Sequence, residues 1–502
     1  MKRKSLVPIS CVLVLFLTCN SAMAQTELPT TDKQYHERIN QLWNQNKTRY
    51  EDMIKGSGNN PRILYNIQAE TKNLLKYAGY SRKYALVGEL SGLYLHALNT
   101  LTETDQYLYA YYPDSQRLSV HPLDKKYRMW VDKEKPIGRE IILDSSQFLY
   151  SVSDTVSIIA DVKKDERTPI MNEALNKFIP LLVEHYNRWI FNKPGPFQVR
   201  GWSSCRYNGQ YVPSGMNHQE FITKKLERTL ANGKSPAYCN AVQDIDMFII
   251  AGVANILTVY KKDEGLVPIT PEEFKKLLSY VKLGAKLLES RFSYTQLKNF
   301  AGEPVVGAIF DRGAGDEHPD VAYAGYSGQE RPKTPSVDKS QYRGKNIGWD
   351  LSHARRFVHV FDSLIKSKEI LGLAFPTKSL LEEMANQFVY ATFNRDFKKP
   401  LFTNFMDGTN GWYRVDYEGR KGFGYGPWKM SMSVIEGGYG FWSVYNTDIQ
   451  KVFVSFMDMV KSSDPDIRKH VIDHYSVFGK TNHPRAQSVL MQFLPSLCFM
   501  YK

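Results

Sequence analysis

Apolar positions recur at helical spacing along most of this chain. Between Asp32 and Lys55, the residues Tyr35, Ile39, Leu42, Trp43 and Tyr50 fall near one face of a helix. The Gly, Ser, Asn and Pro residues of 56–61 stop it. The same reading predicts helices over 62–77, 81–101, 148–162, 169–191, 235–261, 271–292, 349–369, 378–393, 449–462, 464–475 and 486–499, with a short amphipathic piece at 224–230. Segment 81–101 is apolar on more than one side, which predicts burial, and 235–261 contains one of the most apolar helices in the chain. Thr270 reads as an N-cap with Pro271 at the first helical position. Alternation over 117–123 allows a short hairpin.

Helical hairpins separated by irregular loops therefore dominate, and the fold class expected is mainly all-α. No strand–helix alternation, glycine-rich phosphate loop or repeat period is present. A long chain of such hairpins buries both sides of many helices. An (α/α) toroid, an inner ring of helices within an outer ring, solves this and gathers its long loops at one mouth. The loops after Pro194, Ala301 and Pro400 are then expected to meet there. The expected organisation is a leader at 1–24 and one toroid-like domain over 25–502.

The most unusual stretch is 402–442, with nine glycines and eleven aromatic residues. It has neither helical spacing nor long alternation. So many glycines beside so many rings shape a surface, because glycine gives no side chain to pack. Trp412, Tyr413, Tyr417, Tyr425, Trp428, Tyr439 and Trp442 are expected to rim a binding cleft whose ring faces meet sugar C–H groups. The competing reading is a packed loop whose rings fill a hydrophobic gap.

Lys2, Arg3 and Lys4, the apolar run 6–18 and Ala22-Met23-Ala24 form an export signal with cleavage expected after Ala24. Residues 16–18 make a poor lipobox before Cys19. No later apolar run is long enough to span a bilayer. Cys205, Cys239 and Cys498 remain after cleavage, an odd number that rules out a full disulfide framework and leaves a Cys205–Cys239 bridge open. The net charge of +13 suits an anionic partner. Nucleic acid is excluded by the export signal and the lack of any basic block. An acidic polysaccharide or oligosaccharide fits better.

Candidate chemistry lies in four places. Asp350 and His353 are i,i+3 neighbours on a helix, so the carboxylate orients the ring, while Arg355 or Arg356 is placed to hold a substrate carboxylate. The competing reading makes Asp350 an N-cap and the arginines a solvated face. Near 413, a tyrosine beside Arg414 is an acid or base whose phenolate the cation favours. A hydrolase needs two carboxylates instead. Asp407 and Glu436 are that pair, with Asp244 and Asp246 behind them. Finally, Asp311, Asp316 and Asp320 lie in an oxygen-rich loop that lacks EF-hand spacing. No cofactor is expected, and calcium at those three aspartates is the one metal reading the sequence offers.

An exported, aromatic-rich chain of helical hairpins with such loops resembles the (α/α)-toroid enzymes that degrade polysaccharides: six-hairpin glycosidases and alginate-lyase-like polysaccharide lyases. The likeness is architectural and spans the mature chain. Its local echoes are Asn217-His218, similar to the Asn-His pair of toroid lyases, and the tyrosine-arginine cluster at Tyr413. The residues that surround that pair in the alginate-lyase family are absent. The resemblance implies β-elimination on a uronate. Asn217, with Arg355, Arg356, Trp412, Arg414, Tyr417, Glu436, Tyr439 and Trp442, then binds the sugar, and His218, His353 or Tyr413 moves the proton. A glycoside hydrolase on the same scaffold and a noncatalytic glycan-binding protein are the alternatives.

Overall fold

The first helical pattern is realised as drawn: α1 spans Asp32–Lys55 and buries Tyr35, Ile39, Leu42, Trp43 and Tyr50. The computed structural model describes residues 32–110, 118–133, 139–192, 206–207, 210–211, 216–230, 239–311, 319–328, 330, 332, 338–344, 347–415, 424–479 and 485–500. After α1 come α2 (Arg62–Tyr80) and α3 (Tyr84–Leu98). Two antiparallel pairs follow, β1 (Thr102–Ala110) with β2 (Leu118–Met129) and β3 (Val131–Asp132) with β4 (Arg139–Glu140). The chain continues through α4 (Ile142–Ala160), α5 (Pro169–Phe191), the short pair β5 (Arg206–Tyr207) and β6 (Gln210–Tyr211), and α6 (His218–Glu227). Next are α7 (Asp244–Lys262), α8 (Pro271–Glu289) and the hairpin β7 (Phe292–Lys298) and β8 (Pro304–Phe310). The last part holds α9 (Leu351–Ala354), α10 (Phe357–Leu371), α11 (Lys378–Asn386), α12 (Ser431–Gly437), α13 (Asp448–Lys461), α14 (Pro465–His474), α15 (Ser476–Gly479) and α16 (Ala486–Met500). The protein is thus mainly helical, with small two-stranded sheets.

Local chemistry explains most boundaries. Thr270 caps α8 in a full capping box with Glu273, and Pro271 opens the helix. Several patterns come out differently: the helix expected over 235–261 begins only at Asp244, and Ser431–Gly437 is helical within the stretch read as irregular. The β-branched run of β8 leaves the expected irregular region and pairs with β7 around a turn that the Asn299 side chain holds at Ala301 and Glu303. The single helix expected over 349–369 is broken at Arg355 and Arg356 into α9 and α10. Residues 387–392 wind as a π-helical turn rather than extending α11.

Packing arranges five helices in a circuit. Neighbours along it are α2, α4, α7 and α10; the Tyr439–Val444 turn joins α10 to α16, and α16 returns to α2. All five run the same way. Arg62 at the start of α2 pairs with Asp144 in the first turn of α4 at 2.8 Å. Arg356, leading into α10, pairs with Asp244, the first residue of α7, at 2.9 Å. Farther along, Gly79 of α2 meets Ile158 of α4. Asn73 bonds the Gln492 carbonyl at 2.7 Å and Ser488 bonds Glu70 at 2.6 Å, which gives α16 the same direction as α2. A second set, including α1, α3, α5, α8 and α13, packs against these helices. Gly252 lets α7 approach Tyr186 of α5; a Cβ there would collide with the phenol.

The connections divide by end. Where the circuit helices finish, the chain turns within 81–83, 161–168, 263–270 and 372–377. Three of them, α4, α7 and α10, are reached through the long stretches 99–141, 192–243 and 290–350, whereas α2 and α16 are reached through 56–61 and 480–485. One hydrophobic cluster runs from Tyr35 to Cys498. Among the described residues no helix is long and apolar enough to cross a membrane. Cys239 is disulfide-bonded, its partner lying outside the described residues, and Cys498 is a buried free thiol. The export signal and Cys205 also lie outside the described residues.

Candidate functional site

The long-loop end of the circuit carries a compact polar cluster built from three remote segments. Residues 349–351 and 404–406 join first: Leu351 N donates to the Asn404 carbonyl and Met406 N to the Trp349 carbonyl, both at 3.0 Å. Asn404 then ties the loop together, donating to the Gly411 and Gly426 carbonyls and accepting from Met430 N. Gly411 lies so close to the Ala324 carbonyl that no side chain fits. Trp412 N donates to the Tyr323 carbonyl at 2.9 Å and Arg414 N to the Asp320 carbonyl at 3.0 Å. Arg414 adopts φ of 58°, which turns its side chain back toward α9.

His353 sits at the centre. Asp350 caps α9 through its own carboxylate, which lies 2.9 Å from the His353 Nδ1 through both oxygens. A carboxylate only accepts, so Nδ1 carries the proton and Nε2 the lone pair. Nε2 faces Arg414 Nη2 at 3.4 Å, and the Tyr413 hydroxyl lies 3.3 Å from Nδ1. Trp349 stacks on the imidazole at 5.8 Å and 9°. The His353 side chain is 16 % exposed. Burial of Asp350 opposes its charge, yet the neighbouring His353, the Arg414 cation and the Ser352 hydroxyl hold its carboxyl well below the usual range. The N-cap and the ring-orienting readings of Asp350 are therefore one and the same.

The two arginines behind His353 differ. Arg356 donates to Tyr65 at 3.0 Å, to the Ser352 carbonyl at 3.1 Å and to Asp244 at 2.9 Å, so it braces the turn that carries His353. Arg355 lies 3.8 Å from Glu436, which also pairs with Arg485 at 3.2 Å. Asp244 is thereby an arginine partner. Asp407 is held by Thr409 and backbone N–H groups, with burial pushing its carboxyl up. Tyr413, Tyr439 and Trp442 were expected on the rim and are buried instead, Tyr439 at 0 % exposure stacking on Phe388 and donating to the Leu351 carbonyl. Their glycine-rich setting makes close ring packing possible, the competing reading of that part of the loop. Trp412 and Tyr425 keep partial exposure, while Tyr417 lies outside the described residues.

Asn217 and His218 stand apart from this cluster. Asn217 caps α6 in a capping box with Glu220. His218 is fully buried, its Nδ1 2.7 Å from Tyr280 Oη and its Nε2 3.0 Å from Asp246, which also binds Lys225. Burial lowers the His218 pKa even against the Asp246 carboxylate. Of the calcium candidates, Asp316 is outside the described residues and Asp320 pairs with Arg414 at 3.5 Å. Among the described residues no group of three or more metal-ligating side chains occurs.

Sequence reading passed over Tyr65, Gln68 and Lys72 of α2. Their signal was present: Gln68, Lys72 and Lys76 recur every fourth residue, a polar stripe on an otherwise apolar helix, and it faces inward. Compared with known proteins, the chain finds no counterpart: no family model, no curated protein and no solved structure matches it.

Proposed function

We propose that this chain is an exported (α/α)-toroid enzyme that cleaves an acidic, uronate-containing polysaccharide or oligosaccharide by β-elimination. The contact circuit of α2, α4, α7, α10 and α16 is read as the inner ring, with its long connections at the catalytic mouth. Five parallel helices starting at one end put their positive dipole ends together, which favours an anionic substrate there. The single observation that carries the reading is His353, fixed by Asp350 through Nδ1, with Nε2 accepting from Arg414 at 3.4 Å, a bond that a substrate carboxylate drawing on Arg414 would release.

In this reading a uronate carboxylate lies against Arg414. The cation stabilises the charge that develops as the neighbouring C5–H bond breaks. His353 Nε2 takes that proton; the electron pair forms the C4=C5 bond and the C4–O bond breaks. The imidazolium then returns a proton to the leaving oxygen. Tyr413 is buried and acts through the imidazole as a positioning residue. Trp412 and Tyr425 offer rings to the sugar. His218 and Asn217 have no part in the step.

Incubation with a panel of uronate polymers tests this. An unsaturated product absorbing in the near ultraviolet is expected from at least one, and its loss in His353→Ala. Reducing ends released without new absorbance, abolished by Asp407→Asn or Glu436→Gln but not by His353→Ala, would replace it with the hydrolase. Binding without turnover on any polymer would leave a glycan-binding protein.

A further inference from the structure

Beyond the His353 cluster, α14 carries a pair of histidines that the chemistry above leaves unused. His470 and His474 stand four residues apart, so they share one face of the helix. Their rings lie 4.7 Å apart, centre to centre, and are tilted by 42°. Both residues are half-buried. Each leaves one ring nitrogen enclosed and without a hydrogen-bond partner, Nε2 of His470 and Nδ1 of His474. Enclosed nitrogens that bond to nothing have lost their water and gained no replacement.

The surroundings keep both rings neutral at pH 7. Burial lowers His470 against the pull of the Pro400 carbonyl. Burial, then His470 itself and Lys429, lower His474 to about 4. Lys399 and Lys469 also disfavour the charged rings, while Asp396 and Asp473 favour them. A neutral imidazole keeps a lone pair for a metal ion. Asp473 lies between the two histidines in sequence, but Lys469 holds its carboxylate at 2.7 Å.

The spacing of the rings suits chelation. An ion about 2.0–2.1 Å from one nitrogen of each ring sits about 3.2 Å from each ring centre. With the centres 4.7 Å apart, the angle at the ion is then about 95°, as an octahedral or tetragonal shell requires.

We propose that His470 and His474 chelate one divalent transition-metal ion, copper(II), nickel(II) or zinc, with water completing the shell. Imidazole nitrogens select these ions over magnesium and calcium, and copper(II) should bind most tightly. Two protein ligands with lysines nearby make a weak, exchangeable site. Both ligands stand in the last turn of α14, so a bound ion pins the end of that helix and raises Tm by binding only the folded chain. Nothing in this site depends on the carbohydrate reading.

The test is calorimetric titration and thermal unfolding of the untagged full protein with copper(II) sulfate, nickel(II) chloride and zinc chloride, against magnesium chloride. Wild type should bind copper(II) with a micromolar Kd and gain several degrees in Tm, with no response to magnesium. Electron paramagnetic resonance of the copper(II) form should show two imidazole nitrogens in wild type, and one in His470→Ala and in His474→Ala. Each of these variants should bind at least tenfold more weakly. Lys429→Gln keeps both ligands and should tighten binding about threefold, because a nearby cation is gone. A merely structural pair would lower Tm on substitution and leave metal affinity as it was. That outcome overturns the site, as does copper(II) bound in wild type without imidazole nitrogens, or no metal-dependent shift at all.

Discussion

Asp350 places both carboxylate oxygens 2.9 Å from Nδ1 of His353 while capping the helix on which His353 stands. One side chain thus fixes both the ring's position and its tautomer. Asp350→Asn keeps an acceptor for the cap and loses the charge. It should lower kcat by about 10²–10⁴-fold with KM little changed. His353→Ala should do at least as much and should also lower Tm, because it leaves the buried Asp350 carboxylate without its imidazole partner. Steady-state rates of product absorbance against substrate check both; an unaffected kcat in Asp350→Asn would remove His353 from the chemistry.

The His218–Asp246–Lys225 group should behave differently. All three are buried, and Lys225 is pushed down to about 8 by burial against the pull of Asp246. Asp246→Asn leaves Lys225 buried beside a neutral amide. It should cost about 3–5 kcal/mol of stability. Urea unfolding measures this, and activity per folded molecule should stay near wild type.

Acid should weaken the fold through its buried histidines. Burial, and then Arg188, lower His185 to about 3 from an ordinary 6.5. As pH falls below about 6.5 the unfolded chain takes up a proton that the native ring refuses, so stability declines toward pH 3. His185 alone should contribute about 2 kcal/mol of loss by pH 5. His218 and His359 shift in the same direction. The midpoint of urea unfolding followed from pH 7 to 5 tests this, and His185→Gln should flatten the slope.

Gly411 is required by the approach of its backbone to the Ala324 carbonyl. Gly411→Ala should destabilise by about 1–3 kcal/mol. It should also reduce kcat, because Tyr413 and Arg414 hang from the same segment. Thermal unfolding and the product assay report the two effects separately.

Reduction of the Cys239 disulfide should lower stability by about 2–4 kcal/mol. Cys498, buried, should resist thiol reagents until the protein unfolds. Unfolding with and without dithiothreitol, with thiol counting in each state, checks both.

Helices with strong 3.6-residue spacing and clear stops were legible in the sequence, α1, α5, α8 and α13 among them, because local patterning and capping agreed there with the packing. The hairpin β7–β8 was not, since its partner strands gain their reason only from pairing. Nor was the break at Arg355 and Arg356, whose cause is tertiary: Arg356 is held by Tyr65 and Asp244, far away in sequence. The pairing of Asp350 with His353 followed from their spacing, and the approach of Tyr413 and Arg414 from the expected meeting of loops. Asn217-His218 looked catalytic on motif alone, and burial, which a motif does not encode, sets it in the interior. Lys72 was hidden for the opposite reason: a lysine among polar neighbours on a helix reads as solvated until its face is known.

Three circuit helices, α4, α7 and α10, are entered through extended segments and left through tight turns, which separates recognition from tolerance. Trimming or exchanging the extended segments should change what the mouth binds without disturbing the frame, while the tight turns have little slack for insertion.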